Sequence, residues 1–360
     1  MSIHFHPLQI KEIRRETQDC ISVLVDIPER LQKDFQFIQG QNLTVRLSIN
    51  NEELRRTYSI CSSPLDNELR IAIKKVEGGI FSTYANEQLR VGDILEAMPP
   101  IGKFYTPLNN TQQKNYIAFA AGSGITPVLS LIKTTLATEP NSEFTLVYGN
   151  RSRNAIIFFE ELEALKNNYL QRFSIIHILS RERTDSTLNI GRINTDKLKE
   201  LSTVLNYKKA DEFFICGPEA MTFEVIAFLE GLEISKKKIH FELFISPGQM
   251  NKSTVRSQKP ETLAGPGSKI TIKLDGKSFD FNLSKNNTSS ILDAAMQQGA
   301  DLPYACKGGV CCTCKARLLE GQVNMDVHWG LEQEEIEQGY ILTCQSHPKT
   351  EKVVIDFDIK

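Results

Sequence analysis

No apolar run in this 360-residue chain approaches the roughly 20 residues that a membrane-crossing helix requires. Excess charge of one sign is also missing. Lys and Arg total 42 against 44 Asp and Glu, a formal net charge of -2, so neither nucleic acid nor a membrane surface is expected as a partner. The opening residues, Met1-Ser-Ile-His-Phe-His6, lack the charged-then-apolar build of a secretory leader. No internal repeat or low-complexity tract interrupts the chain. The six histidines form no set with carboxylates of the kind that holds a non-haem iron, which places oxygen chemistry outside this chain. Eight cysteines in a long chain without an export signal do not read as a disulfide framework, and a reducing cytoplasm fits them.

What the cysteines do form is a pattern. Cys306-Lys-Gly-Gly-Val-Cys311-Cys312-Thr-Cys314 is followed much later by Cys344. The intervals, four residues, two residues and then twenty-nine, match the plant-type spacing for a [2Fe-2S] cluster. Two irons need four thiolates, and three of them can come from one tight loop. Gly308 and Gly309 let that loop wrap inward. The fourth must reach back from a later segment, here Tyr340-Ile-Leu-Thr-Cys344. Zinc is the alternative, but zinc usually takes separated close pairs. Cys312, between ligands, reads as a small loop residue rather than a fifth ligand.

Length predicts two or three domains. Residues 1–110 carry short alternating runs such as Ile21-Ser-Val-Leu-Val-Asp26, Asn42-Leu-Thr-Val-Arg-Leu47 and Leu69-Arg-Ile-Ala-Ile-Lys74, punctuated by Gly, Pro and Asn. A small antiparallel β-barrel is expected there, with one helix from Ser82 to about Leu89. Over 111–246 the rhythm becomes strand, helix, strand, helix. Tyr116–Ala121, Phe144–Tyr148, Phe173–Leu179 and Glu212–Cys216 are apolar strands, and helices are expected over Val128–Leu136, Ile157–Lys166 and Ala220–Leu232. Such alternation predicts an α/β domain with a parallel sheet. Residues 247–268, rich in Pro and Gly, read as a linker. Residues 269–360 open with Lys269–Leu274, Asp275-Gly276 and Ser278–Leu283, a strong hairpin signal. A helix from Ser290 to Gln298, stopped by Gly299, and strands at Lys315–Leu319 and Val353–Phe357 complete a small α+β domain.

Several local motifs can carry ligands. Arg56-Thr-Tyr58-Ser59 offers a guanidinium that can fork onto a pyrophosphate and an aromatic ring with a hydroxyl. Gly79-Ile-Phe-Ser82 precedes a helix whose free N–H groups suit a phosphate. Gly122-Ser-Gly124-Ile-Thr126-Pro127 joins a strand to a helix, lets a pyrophosphate approach the backbone, and puts Pro127 in the first helical turn. Cys216-Gly217-Pro218-Glu-Ala-Met221 ends a strand and opens a helix.

Taken with the cysteines, these motifs resemble, over nearly the whole chain, a ferredoxin-NADP reductase-like module fused to a C-terminal plant-type ferredoxin domain of β-grasp fold. The order, ferredoxin last, is similar to reductases of the phenylacetyl-CoA epoxidase type, which serve phenylacetate catabolism. The resemblance implies FAD at Arg56, Tyr58, Ser59, Gly79 and Ser82, with Ser59 near the flavin N5. It implies NAD(P)H at Gly122, Gly124, Thr126, Pro127, Cys216, Gly217, Pro218 and Met221, with Cys216 beside the nicotinamide. Ile239-His-Phe-Glu242-Leu-Phe244 resembles the aromatic-ended last strand of such reductases, where Glu242 borders the nicotinamide and Phe244 covers the flavin. Ser59, Cys216 and Glu242 are thereby the implied catalytic residues. Ser180-Arg181-Glu182 resembles the element that holds a 2′-phosphate, which favours NADPH over NADH, although Ile190-Gly-Arg192 replaces a tyrosine of that pattern; Arg151 and Arg153 are further candidates. Cys306, Cys311, Cys314 and Cys344 are the implied metal ligands. The implied activity is an electron relay from NAD(P)H through flavin and cluster to an oxygenase or hydroxylase component. A reductase for another acceptor, such as a ring-hydroxylating oxygenase or desaturase, is the alternative, and a non-enzymatic iron-sulfur sensor is a further one.

Overall fold

A computed structural model describes residues 4–244, 267–284 and 287–359. The chain folds as two compact units, Met1–Phe244 and Ile245–Lys360. The expected linker, 247–268, lies outside the described residues except for its last two, and Ser268 already opens a strand.

The first unit begins with β1 (His6–Thr17), β2 (Cys20–Asp26), β3 (Asn42–Ile49), β4 (Glu52–Ser59) and β5 (Leu69–Lys74). Helix α1 (Ile80–Glu87) and β6 (Ile94–Ala97) follow. The six strands pair antiparallel in the order β4-β3-β6-β1-β2-β5. A bridge between Ile60 and Ile71 joins the end of β4 to β5, so the two edge strands meet. Helix α1 starts two residues earlier than the turn residues suggested, at Ile80, directly after Gly79.

The same unit continues through β7 (Asn115–Ala121), α2 (Ile125–Thr138), β8 (Glu143–Asn150), α3 (Phe159–Asn168), β9 (Phe173–Leu179), α4 (Thr195–Leu201), β10 (Glu212–Gly217), α5 (Glu219–Gly231) and β11 (Ile239–Leu243). The strands are all parallel, in the order β11-β10-β7-β8-β9. Strand β7 shows why its sequence is apolar throughout. Tyr116, Ala118 and Ala120 pack in one cluster with Val128 and Ile132 of α2. Ile117 and Phe119 pack in another with Leu198 of α4 and Val225 of α5. Side chains alternate faces along a strand, and both faces here are covered. Helix α4, unmarked in the sequence reading, is short and polar; Asn194 caps it by accepting from the Lys197 N–H.

The second unit holds β12 (Ser268–Leu274), β13 (Lys277–Leu283), α6 (Ile291–Gln297), β14 (Lys315–Glu320), β15 (Val323–Met325), α7 (Gln333–Glu337), β16 (Tyr340–Leu342), β17 (Ser346–Pro348) and β18 (Lys352–Asp356). Its main sheet runs β13-β12-β18-β14-β16, with β12 and β18 parallel and the other pairs antiparallel. Asp275 and Gly276 turn the β12–β13 hairpin with φ of 52° and 69°. Two left-handed residues give the two-residue turn whose twist matches the strands. Ser290 caps α6 through the Asp293 N–H. The core of this unit gathers Ile270, Ile272, Leu292, Leu342 and Val353 with Cys314 and Cys344. No helix among the described residues is long and apolar enough to cross a membrane.

Candidate functional site

Parallel sheets place loops with free backbone groups beyond the carboxyl ends of their strands. Every ligand motif of the α/β domain lies at that edge. Gly122–Gly124 follows β7, Arg151 and Arg153 follow β8, Ser180 and Arg181 follow β9, and Cys216-Gly217 closes β10. Glu242 is the penultimate residue of β11, paired in register with Cys216.

The fold brings β4 to the same place. The Ser59 hydroxyl, 3 % exposed, donates to Glu242 Oε2 at 2.8 Å. Asn42 of β3 donates from Nδ2 to the other oxygen, Oε1, at 3.4 Å. Burial pushes the Glu242 carboxyl up from its usual 4.5 to about 7, and the bonds from Ser59 and Asn42 pull against that. Burial also holds the fully buried Cys216 thiol well above its ordinary range, with the neighbouring Glu242 charge adding to it. The three residues expected to be catalytic are therefore one cluster built from both halves of this unit, with Cys216 a neutral thiol.

Tyr58 packs its ring against Phe81 of α1, centroids 5.7 Å apart. Ser82, one residue further along α1, accepts from the Val76 N–H at 3.1 Å and so ties the helix start to the loop after β5. Gly79 leaves the N-terminus of α1 without a side-chain cap, and its first N–H groups are available to an anion. At the start of α2 the backbones nearly touch: a Cβ on Gly124 would lie 2.0 Å from the Cys216 carbonyl oxygen. Thr126 folds its hydroxyl back onto the Ser123 carbonyl at 3.0 Å, and Tyr148 donates to the Gly122 carbonyl at 2.9 Å. Pro127 is buried in the first turn of α2 and Met221 in that of α5. Phe244, just beyond β11, is 40 % exposed.

Buried polar atoms test whether a flavin and a dinucleotide fit here. Asn42 Oδ1, Thr57 Oγ1 and Asn150 Nδ2 are buried without a hydrogen-bond partner. They lie on β3, on β4, which carries Arg56, Tyr58 and Ser59, and at the end of β8, which leads into Arg151 and Arg153. Buried polar groups are nearly always satisfied, so orphaned atoms on these strands suit polar ligands. Lys74 was missed by the sequence reading. It ends β5, and its Nζ lies 3.8 Å from the position a Cβ on Gly122 would take. No local motif distinguishes it from the other lysines; only folding brings a cation to the glycine turn.

At the far edge, β8 and β9 continue pairing into their loops. The Arg181 N–H bonds the Arg151 carbonyl at 2.8 Å, and the Arg153 N–H bonds Glu182 Oε2 at 2.7 Å. Arg153 lies over the Phe159 ring at 4.7 Å. Ser180 and Arg181 are thus beside Arg151 and Arg153. In place of the family tyrosine, Ile190 bridges to Leu179, and the Gly191 N–H bonds the Leu179 carbonyl at 2.9 Å.

Four of the five cysteines of the second unit fall into two pairs. Cys306 Sγ accepts the Gly308 and Cys311 N–H groups at 3.3 and 3.5 Å, and its thiol is lowered to about 6, chiefly by the Cys311 side chain. The Cys314 thiol meets that of Cys344, which with burial raises it. The Thr343 N–H and hydroxyl both bond the Cys314 carbonyl, at 3.2 and 3.0 Å, and so seat Cys344 beside Cys314. Among the described residues no three His, Cys, Asp or Glu groups converge on a point that could hold one metal ion. The two thiol pairs suit a cluster of two irons, each of which would take two cysteine thiolates. Cys312 turns its sulfur to the Gly330 carbonyl, 2.6 Å away, which agrees with a loop role.

Comparison with known proteins yields the same three parts. Residues 7–106 match the oxidoreductase FAD-binding domain, 119–225 the oxidoreductase NAD-binding domain, and 272–349 the 2Fe-2S iron-sulfur cluster binding domain. The chain is 45 % identical over 357 residues to a subunit of the 1,2-phenylacetyl-CoA epoxidase of Escherichia coli K12, covering 99 % of this chain and 98 % of that one. It is 31 % identical to the ferredoxin reductase component of 3-ketosteroid-9-alpha-monooxygenase from Rhodococcus rhodochrous, over 97 % and 96 % of the two chains. Among solved structures, phthalate dioxygenase reductase shares the fold with a TM-score of 0.58 and 24 % identity, over 98 % of each chain.

Proposed function

This chain belongs to the family of oxygenase reductases that join FAD-binding, NAD-binding and [2Fe-2S] domains in that order, and on this premise we propose that it draws hydride from NADPH to supply an oxygenase component of the phenylacetyl-CoA epoxidase type. It is an oxidoreductase of the ferredoxin reductase kind, with FAD and a [2Fe-2S] cluster as cofactors. When bound, the flavin takes two electrons together and releases them singly, and the cluster carries one at a time.

The observation that carries the assignment is the Ser59–Glu242 hydrogen bond across 183 residues of sequence, with Cys216 in register beside it. We assign Ser59, Cys216 and Glu242 to the place where nicotinamide meets flavin. Glu242 holds the Ser59 hydroxyl in one orientation and, below about pH 7, keeps a proton of its own. Cys216 supplies a neutral, polarizable surface. We assign Arg56, Tyr58, Gly79 and Ser82 to the flavin and its phosphates, and Lys74, beside Gly122, to the dinucleotide. Phe244 is assigned to the flavin ring. Gly122, Gly124, Thr126, Pro127, Gly217, Pro218 and Met221 frame the dinucleotide. Ser180 and Arg181, supported by Arg151 and Arg153, are assigned to a 2′-phosphate, since several guanidinium groups at one sheet edge suit a dianion. Cys306 and Cys311 would hold one iron, Cys314 and Cys344 the other. The eight cysteines are free thiols, and thiols that must stay reduced for a cluster support a cytoplasmic location.

Anaerobic rapid mixing tests the reading. NADPH bleaches the flavin and then the cluster, faster than NADH does at equal concentration. Flavin bleaching without any cluster bleaching sinks the relay. Equal or better rates with NADH sink the 2′-phosphate assignment alone. Turnover with a purified epoxidase component and not with a ketosteroid monooxygenase component decides the acceptor.

A further inference from the structure

The buried carboxyl of Glu242 has two holders, and only Ser59 belongs to a motif legible in the sequence. Ser59 donates to Oε2 at 2.8 Å, and Asn42 donates from Nδ2 to Oε1 at 3.4 Å. Asn42 and Ser59 are direct partners in the β3–β4 register, so the two donors stand side by side on neighbouring strands. The backbone fixes Asn42 from the other side as well. Its N–H bonds the Ile101 carbonyl at 2.7 Å, and the Ile101 N–H returns a bond to the Asn42 carbonyl at 3.0 Å. Gly102 makes room for the amide: a Cβ there would lie 2.9 Å from Asn42 Nδ2. Asn42 is 3 % exposed, so water does not readily replace it. Across β10 the titratable neighbour of Glu242 is Cys216, which burial keeps as a neutral thiol.

An amide carries a donor and an acceptor on one flat group. Nδ2 donates to a carboxylate. Oδ1 is buried and has no hydrogen-bond partner, so the group can turn over and accept from the carboxylic acid. The bond to the charged form is the stronger of the two. Alanine can make neither bond, and an ionised aspartate could only accept.

We propose that Asn42 is a positioning residue for flavin reduction, holding Glu242 by the oxygen that Ser59 leaves free, whether or not the carboxyl carries a proton. The inference rests on the assignment of Glu242 to the place where nicotinamide meets flavin, so its test separates the two.

The full-length, FAD-loaded native protein is compared with N42A, N42D, E242Q and the N42A/E242Q double variant. Protonation of Glu242 is followed with pH by its infrared carboxylic-acid band, which E242Q lacks, and flavin reduction by anaerobic stopped flow at saturating NADPH. N42A is expected to move the Glu242 midpoint up by about one pH unit, because a donor to the charged form is lost. N42D is expected to move it further, because two carboxyls then share the site. N42A is also expected to slow flavin reduction roughly tenfold, with NADP+ affinity unchanged. In the E242Q background the same substitution is expected to add little, because Asn42 acts through Glu242. An unmoved midpoint in N42A overturns the proposal, and so does a loss of rate in the double variant as large as in the native background. If N42A binds no FAD, N42D, which has the same shape, carries the test. Failure of both to bind FAD overturns the proposal in favour of a structural role. E242Q that reduces flavin at the native rate would instead overturn the assignment of Glu242 itself.

Discussion

Glu242 is the residue on which the chemistry of the first unit turns, because it is an acid buried beside a hydroxyl and a thiol. Unfolded, it loses its proton near 4.5; folded, it keeps it to about 7. Between those values the unfolded chain binds fewer protons, so stability falls as pH rises through the window and is level above it. A shift of that size corresponds to about 3 kcal/mol. Urea unfolding of the flavin-loaded protein, followed by flavin fluorescence from pH 5 to 8, is expected to show this decline. The E242Q variant is expected to lack it. A native protein with the same slope as the variant would remove the buried-acid description. Ser59→Ala leaves Glu242 without its hydroxyl donor, and the flavin-reduction rate is expected to drop at least tenfold with little change in flavin content; stopped-flow absorbance and extraction measure the two. Neither residue announces itself. A serine after a tyrosine and a glutamate in a closing strand are ordinary singly, and a resemblance was needed to pair them.

At the scale of elements, the start of α2 is the tightest joint. Gly124 sits where any side chain would strike the Cys216 carbonyl, so Gly124→Ala is expected to cost roughly 1–3 kcal/mol through overpacking. It would also displace the helix start from the end of β10. A thermal melt and an NADP+ titration check the two effects, and an unchanged affinity would separate this joint from dinucleotide binding. Elements with a strong local signal were legible: the continuous apolar strands β7 to β10, the Asp275-Gly276 hairpin, and α6 between Ser290 and Gly299. Helix α4 was not, because Thr-Asp-Lys-Leu-Lys-Glu-Leu is short and mostly polar, and its stability comes from Leu198 and Leu201 packing under the sheet. Strand β1 was missed for a related reason. Its sequence, His-Pro-Leu-Gln-Ile-Lys-Glu-Ile-Arg-Arg-Glu-Thr, is highly charged, and only pairing on both sides, with β2 and β6, defines it.

For the molecule as a whole, each unit carries its own hydrophobic cores, so damage to one need not unfold the other. Cys344→Ser removes a ligand from the second unit, and the cluster absorbance is expected to vanish while NADPH still reduces the flavin. Loss of flavin reduction as well would mean that the units are not independent. The order of the domains, the cluster ligands and the dinucleotide turn followed from residues close together in the chain, where spacing and local backbone preference suffice. The resemblance implied Ser59, Cys216 and Glu242 one by one, but their juxtaposition, and the Lys74 cation beside Gly122, came only from tertiary structure. These residues are far apart in sequence and on two different sheets, β4 and β5 in one and β7, β10 and β11 in the other, so only the packing of the two sheets within the first unit brings them together.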